Sequence, residues 1–381
     1  MNTRRTQRKC KLGSIFLFAV CTAGSAWGQI HIAQVAPISS AIVDEGRETN
    51  IGIKLAFDSV NAHHGIAGQK IILRTEDDEY DSKKAVTLIR ELVKTDTLAL
   101  LGVVGSPTMA MILQEKIPET AGMPIIGTIP GAEPFRKPLN PYVFHVRAGD
   151  ADQYRVLVRN ALTIGMKRIA VVYLDTPSVK SGVATVEVLL KAASLELVAR
   201  VPIPLKANAN HGEVIKVLKE ARPHLIVLHL PGQVAGEFVR AYGNRGMAAQ
   251  ITSLSYGNPN AICQVATPEL ARGISLAQIF PNVNNKAVPL VRQFREDFLA
   301  YGPKGMKPSP LQFEGYITAK VLIEGIKRID GTPTREKLVK ALNSMHQIDL
   351  GGFVIDFSAT KHNGSEYVET GVLTKACSVL Y

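Results

Sequence analysis

Short apolar runs and longer amphipathic segments alternate along the chain from residue 30 onward. The apolar runs predict strands at residues 30–36, 70–74, 98–104 and 124–127. Between them, the spacing of apolar residues predicts helices at 48–60, after Ser82 and after Ser106-Pro107. Proline is favourable in the first turn of a helix because its missing N–H would have no partner there.

The same alternation starts again after Arg147. Because alternating strands and helices form parallel sheets with helices on both faces, the two runs predict an α/β protein with two doubly wound lobes. No linker rich in Pro, Gly or Ser separates them, which favours lobes joined by several short crossings. The second run predicts helices at 152–163, 179–193, 213–221 and 234–244 and strands at 168–174, 196–201, 224–230 and 250–254. Long helices at 287–301, 311–329 and 334–343 and strand-like runs at 352–357 and 366–374 complete the chain.

The first 28 residues have the pattern of an export signal. Basic residues between Arg4 and Lys11 precede a short apolar run, and Ala26 and Gly28 are spaced as a signal-peptidase site. The run is too short to cross a bilayer stably, which takes about 20 residues. We predict cleavage after Gly28 and a periplasmic location; an N-terminal anchor or a lipoprotein acylated at Cys21 are the alternatives.

Composition narrows the classes of function. The 381 residues are 46% hydrophobic and 20% charged, as in an ordinary globular protein. Without the five basic residues of the signal, 39 basic and 33 acidic residues leave a net charge of only +6. This weak charge and an aromatic content of 6% argue against nucleic-acid binding. Cys263 and Cys377 either pair in an oxidising compartment or remain buried thiols.

The usual catalytic and cofactor motifs are absent from the sequence. It has no G-x-G-x-x-G after a strand, no Walker A motif, no G-x-S-x-G and no H-E-x-x-H. The pair His63-His64 ends a predicted helix, and the acidic run at 76–79 lacks the spacing of a calcium loop. We therefore expect no enzyme, no cofactor and no metal.

Ligands of open parallel sheets bind beyond the carboxyl ends of the strands. Small and polar residues follow several predicted strands, at 105–108, 128–132, 175–178, 231–233 and 255–258. Such residues suit any strand-to-helix turn, but turns from both lobes can also converge on one cleft. Ser106, Thr108 and Ser178 are the candidates that this argument favours.

Several fragments stand in a fixed order along the chain: IHIAQVAPIS at 30–39, NAHHGIAGQKI at 61–71, LGVVGSPT at 101–108, YVFHVR at 142–147 and FEGYITA at 313–319. In their order and spacing they resemble the type I periplasmic solute-binding proteins of ABC importers, of the leucine/isoleucine/valine-binding kind. The resemblance extends from Ile30 to the C-terminus.

The resemblance implies two Rossmann-like lobes that close on a ligand and are joined by three crossings. We expect the crossings near Arg147, near 278–281 and near 349–351. Lobe one then comprises residues 30–147 and 281–349, and lobe two comprises residues 148–280 and 350–381. The family also implies a monomer, a small-molecule solute and an inner-membrane ABC permease as partners.

Ligand-binding residues carry over from the family in part. The resemblance places Ser106 at a ligand carboxylate, together with backbone groups of Ile129 or Gly131 in the next turn. It places Ser178 where the family has a tyrosine, and Ser255 at or near the acidic residue that pairs with an α-ammonium. The disulfide of the best-known members would join positions near Tyr80 and Gly105, and neither is a cysteine.

The departure at Ser255 weakens the expectation of an α-amino acid ligand, because a buried ammonium needs a counter-charge. Asp150 and Asp175 are possible substitutes. Arg147, at a predicted crossing, is either an anion clamp in the cleft or part of a hinge salt bridge. Glu314 either caps its helix or contacts ligand.

The sequence thus predicts an exported, non-enzymatic protein that captures a small solute, an amino acid or a carboxylate-bearing compound, for an ABC importer. A periplasmic sensor for a membrane receptor or kinase is the alternative, and an exported α/β hydrolase is a third possibility.

Overall fold

The computed structural model describes residues 1, 28–206, 211–243 and 248–381. The predicted export signal therefore lies almost wholly outside the described residues. Two parallel sheets organise the rest of the chain. Among the described residues, no helix combines the length and the apolar character that a membrane crossing requires.

The first sheet is built from five parallel strands in the order β2-β1-β3-β4-β5. Its strands are β1 (Ile30–Ala36), β2 (Ile71–Asp77), β3 (Ala99–Leu101), β4 (Ile125–Ile126) and β5 (Val143–Phe144). The helices that connect them are α1 (Glu45–Ala62), α2 (Ser82–Leu92), α3 (Ser106–Gln114) and α4 (Ile117–Ala121).

The second sheet repeats this order with five parallel strands, β7-β6-β8-β9-β10. Its strands are β6 (Ile169–Leu174), β7 (Ala199–Ile203), β8 (Leu225–His229), β9 (Gln250–Ser253) and β10 (Ser275–Gln278). Its helices are α5 (Asp150–Thr163), α6 (Pro177–Ala192), α7 (Gly212–Ala221), α8 (Gly232–Gly243), α9 (Pro259–Ala266) and α10 (Pro268–Ala271).

Three long helices then return to the first sheet. They are α11 (Pro289–Tyr301), α12 (Pro310–Lys327) and α13 (Arg335–Asn343). α12 packs against α1 so closely that a Cβ atom on Gly315 would lie 2.1 Å from the carbonyl oxygen of Thr49. Glycine is required at this contact, which fixes the N-terminal ends of α1 and α12 beside each other.

The chain ends in four short strands. They are β11 (Ile348–Asp349), β12 (Val354–Ile355), β13 (Glu369–Leu373) and β14 (Val379–Leu380). β11 and β12 form a hairpin, whereas β13 pairs antiparallel with β10 and extends the second sheet, with β14 at its edge.

The predicted third crossing at 349–351 is too early in the chain. Phe353, Ile355 and Phe357 pack in the core of lobe one with α12 and α13. The Gly351-Gly352 pair instead forms the turn of the β11–β12 hairpin, where both N–H groups donate to Asp349 Oδ1. We propose a crossing at 365–368, because residues 362–364 pair with His145, which follows β5, and Val368 contacts the cores of both lobes.

Cys263 of α9 and Cys377 of the β13–β14 turn form a disulfide, with their Cα atoms 6.1 Å apart. Of the two states that the sequence left open, the structure has the paired one. The bond attaches the C-terminal hairpin to lobe two.

Candidate functional site

The strand order of each sheet defines where a ligand site can form. In the order 2-1-3-4-5, the direction of winding reverses between the first and third strands, and ligands bind beyond the carboxyl ends at that switch point. The switch points are β1/β3 in lobe one and β6/β8 in lobe two. A cavity of about 60 Å³ is lined by residues that follow these strands in both lobes.

The wall from lobe one combines apolar and polar groups. Val43 and Glu45 come from the segment after β1, and Val104 and Ser106 come from the segment after β3. Ser106 is the first residue of α3, and no side chain caps this helix. Its N-terminus therefore offers N–H groups and a partial positive charge beside the cavity.

Lobe two contributes two stacked rings. His229, the last residue of β8, and Tyr256, in the turn after β9, have ring centroids 4.9 Å apart and nearly parallel planes. The His229 Nδ1 lies 2.8 Å from the hydroxyl of Tyr154, and its Nε2 lies 3.8 Å from Asp150 Oδ2. Burial lowers the pKa of His229, which favours the neutral form of its imidazole.

The two lobes touch across the cleft. The Tyr256 hydroxyl accepts a hydrogen bond from the Gly131 N–H (2.9 Å) and donates to Asp150 Oδ1 (2.6 Å). A second hydrogen bond joins the lobes, from Asn258 Nδ2 to Asp44 Oδ2 (2.5 Å). Val43 and Ile129 of lobe one also pack with the core of lobe two. These contacts describe a closed arrangement of the lobes.

Arg147 is fully buried at the first crossing. Its Nη1 lies 3.2 Å from Glu314 Oε1, and its Nη2 donates to Ser255 Oγ. The guanidinium carbon lies 4.7 Å from the centre of the Tyr256 ring. Of the two roles that the sequence left open, the geometry favours the hinge salt bridge. Glu314 accordingly pairs with Arg147 across the crossing.

Glu45 is a candidate that the sequence reasoning missed. It is the first residue of α1, it lines the cavity and it is only 4% exposed. Its Oε2 atom is buried and has no hydrogen-bond partner among the described residues. Burial and the neighbouring Asp44 raise the pKa of Glu45 to about 8. The sequence could have indicated Glu45, because it follows the first strand. The turn after that strand lies at the same sheet edge as the other turns named as candidates.

The structure brings some of the predicted ligand residues to the cavity and places others behind it. Ser106 and Ile129 line the cavity, whereas Thr108 is buried behind Gly105. The N–H of Gly131 is already bonded to Tyr256, and the side chain of Ser255 is bonded to Arg147. Their contact with ligand stays a prediction.

At α6, Val179 lines the cavity while the Ser178 hydroxyl lies 3.3 Å from Thr176 Oγ1. The proposed substitutes for an acidic partner are also engaged elsewhere. Asp150 bonds Tyr256, and Asp175 forms an exposed ion pair with Lys180. Tyr80 and Gly105 are adjacent, since a Cβ atom on Gly105 would lie 3.2 Å from the Tyr80 ring. They occupy the place where the resemblance puts a disulfide.

Similarity to known proteins agrees with this architecture. A family model described as periplasmic binding protein matches residues 29–373. A substrate-binding periplasmic protein from Ralstonia solanacearum superimposes with a TM-score of 0.87 at 33% identity, covering 92% of this chain and 99% of that one. An extracellular ligand-binding receptor from Verminephrobacter eiseniae gives 0.85 at 27% identity, covering 93% and 100%.

A curated relative, Leu/Ile/Val-binding protein homolog 7 of Brucella abortus, is 25% identical over 327 residues, which are 81% of this chain and 79% of the relative. The family match spans most of the chain, and the chain belongs to the periplasmic binding protein family. Proteins of this family bind solutes and are not enzymes.

Proposed function

We propose that this protein is the solute-binding component of an ABC importer, located in the periplasm, and that it holds a small solute between its two lobes. The observation that carries the proposal is the cavity between the switch points of both sheets, to which each lobe contributes one wall. A ligand bound there contacts both lobes at once, so it favours the closed arrangement that a permease can distinguish from the open one.

The chemistry of the cavity supports a small solute that carries polar groups. Ser106 and the N-terminus of α3 suit a carboxylate or another acceptor oxygen. We propose an amino acid or another carboxylate-bearing compound as the ligand class, and a monomer as the working form. The branched-chain amino acids in the relative's name are one set of candidates for this class.

A thermal-shift screen of the purified protein tests the proposal, with amino acids, organic acids and amides as the solutes. A ligand of the folded state raises the melting temperature by mass action, and we expect at least one such solute. Chromatography of the mixture should recover that solute unchanged, whereas an enzyme would convert it. A protein that no solute in the screen stabilises would contradict the proposal.

A cavity-blocking variant makes the screen specific for the cleft. Ser106→Trp should fill the cavity and abolish the shift while the circular dichroism spectrum stays that of the wild type. Thr163→Trp, at an exposed position near the end of α5, is the control and should keep the full shift.

A further inference from the structure

The surroundings of Glu45 are unfavourable for a carboxylate that has no hydrogen-bond donor. Its side chain is buried in the wall of the cavity, and Oε2 lacks a hydrogen-bond partner among the described residues. The cation that acts on it, Arg147, is already paired with Glu314 and bonded to Ser255. A buried acceptor that is left unsatisfied lowers stability, so a donor from the ligand would relieve this cost.

Hydrogen-bond donors line the same cavity as the acceptor Glu45. Ser106 and the uncapped N-terminus of α3 offer O–H and N–H donors, together with the positive end of the helix dipole. A ligand that satisfies both walls therefore carries an N–H donor for Glu45 and an acceptor oxygen for α3.

The size of the cavity limits the ligand further. About 60 Å³ is room for roughly four to six water molecules, since one water needs about 10–15 Å³ of such volume. Much of the remaining wall is apolar, and Val43, Ile129 and Leu174 leave little space for a branched chain. The closed cleft thus fits a compact solute better than a large one.

We infer that Glu45 is a specificity-determining residue, which accepts a hydrogen bond from the ammonium or amide N–H of a compact solute whose oxygen faces the N-terminus of α3. The inference rests on the proposed function and adds to it the chemical class of the ligand. It also supplies an acidic partner that the turn at Ser255 lacks, from the opposite lobe.

Three solutes with the same three-carbon skeleton separate the contribution of the N–H donor from that of the acceptor oxygen. Alanine carries an ammonium and a carboxylate, propionamide carries an amide, and propionate has the acceptor oxygens without an N–H. Calorimetric titration at pH 9, where Glu45 with its pKa of about 8 is mainly ionised, should show that alanine or propionamide binds at least about tenfold more tightly than propionate, because a hydrogen bond to a charged group contributes roughly 10- to 100-fold.

Glu45→Gln tests whether this preference depends on the residue. The variant should lose about 10- to 100-fold in affinity for alanine, if alanine is the tighter ligand, or about tenfold for propionamide. It should bind propionate at least as well as the wild type, because the like charge has been removed. Asp58→Asn removes a carboxylate from an exposed position of the same helix and should leave all three affinities unchanged. The melting temperature of each variant reports that it is folded.

Two results would overturn the inference while leaving solute capture intact. One is a wild-type protein that binds propionate as tightly as alanine and propionamide. The other is a Glu45→Gln variant that binds its N–H-bearing ligand, from this set or from the wider screen, with wild-type affinity. If the wild type bound no solute at all, the proposed function itself would fail, and the inference with it.

Discussion

Arg147 and Glu314 form an ion pair that is buried at the crossing between the lobes. The charged atoms Nη1 and Oε1 are 3.2 Å apart, and the two side chains are 1% and 4% exposed. Burial raises the pKa of Glu314, and Arg147 opposes that rise. The two residues lie on different elements, so the pair fixes the N-terminal end of α12 against the segment that enters lobe two.

Removing one partner of this pair should leave an uncompensated buried charge. We expect Arg147→Met to lower the free energy of unfolding by about 3–5 kcal/mol. The double variant Arg147→Met/Glu314→Leu should recover most of that loss, because replacing a buried pair by apolar side chains is often neutral. Urea denaturation of the three proteins measures this, and a single variant as stable as the wild type would disagree with a buried pair.

The Tyr256 hydroxyl joins the lobes only in the closed arrangement. In that state, Tyr256→Phe leaves the Gly131 N–H without its partner, which costs about 1–3 kcal/mol, whereas the bond to Asp150 lies within lobe two and is lost from the open state as well. We expect the variant to bind its solute about 5- to 150-fold more weakly by calorimetry.

Tyr242→Phe is the matched control for this change. The Tyr242 hydroxyl accepts a hydrogen bond from the Ala249 N–H within lobe two, away from the cleft. Its removal should lower stability without changing affinity. Equal affinity of the wild type and Tyr256→Phe would show that the bond across the cleft does not contribute to closure.

Glu45 should make the stability of the ligand-free protein depend on pH. Its pKa is about 8 when folded and 4.5 as an ordinary glutamic acid, so the folded state binds the proton more tightly. Stability therefore falls as pH rises from about 4.5 to about 8. The charged or titratable groups that act on Glu45 or share its cavity are Asp44, Tyr80, Arg147, His229, Tyr256 and Glu314.

Glu45→Gln removes this titration and keeps the others. Between pH 5 and pH 8 we expect the melting temperature of the wild type to fall by about 3 °C or more relative to the variant. Differential scanning calorimetry at both pH values gives the difference. Parallel pH profiles would mean that Glu45 is ionised at neutral pH in the folded protein as well.

The disulfide between Cys263 and Cys377 closes a segment with a sequence separation of 114 residues. A loop of about this length corresponds to roughly 4–5 kcal/mol of stabilisation when the loss of entropy in the unfolded chain is counted. Dithiothreitol should therefore lower the melting temperature of the wild type. Cys263→Ser/Cys377→Ser should match the reduced protein and not respond to the reductant; an unresponsive wild type would contradict this account.

The fold was predictable because burial imposes a period on the sequence. The run at 30–36 coincides with β1, and the predicted helix at 334–343 differs from α13 by one residue. The spacing of apolar residues shows which face of an element is buried, and this information lies within the element itself. The expected crossing at 349–351 came from the family resemblance and not from such a period, and the structure uses Gly351 and Gly352 for the turn of a hairpin instead.

The site was less predictable because it depends on side-chain direction and on distant partners. In the turns at Ser178 and Ser255, the next residues, Val179 and Tyr256, line the cavity instead. A sequence pattern places a turn at a sheet edge but does not give the direction of each side chain. Similarly, nothing local to Arg147 indicates that its partner is 167 positions away.

A crystal structure of the protein with the strongest solute from the thermal-shift screen tests the central claim most directly. We expect the intact solute in the cavity between the lobes, within hydrogen-bond distance of Ser106 at the N-terminus of α3 and enclosed by Tyr256 of lobe two. A solute bound outside this cleft, or a reaction product in its place, would contradict the account of a two-lobed solute-binding protein.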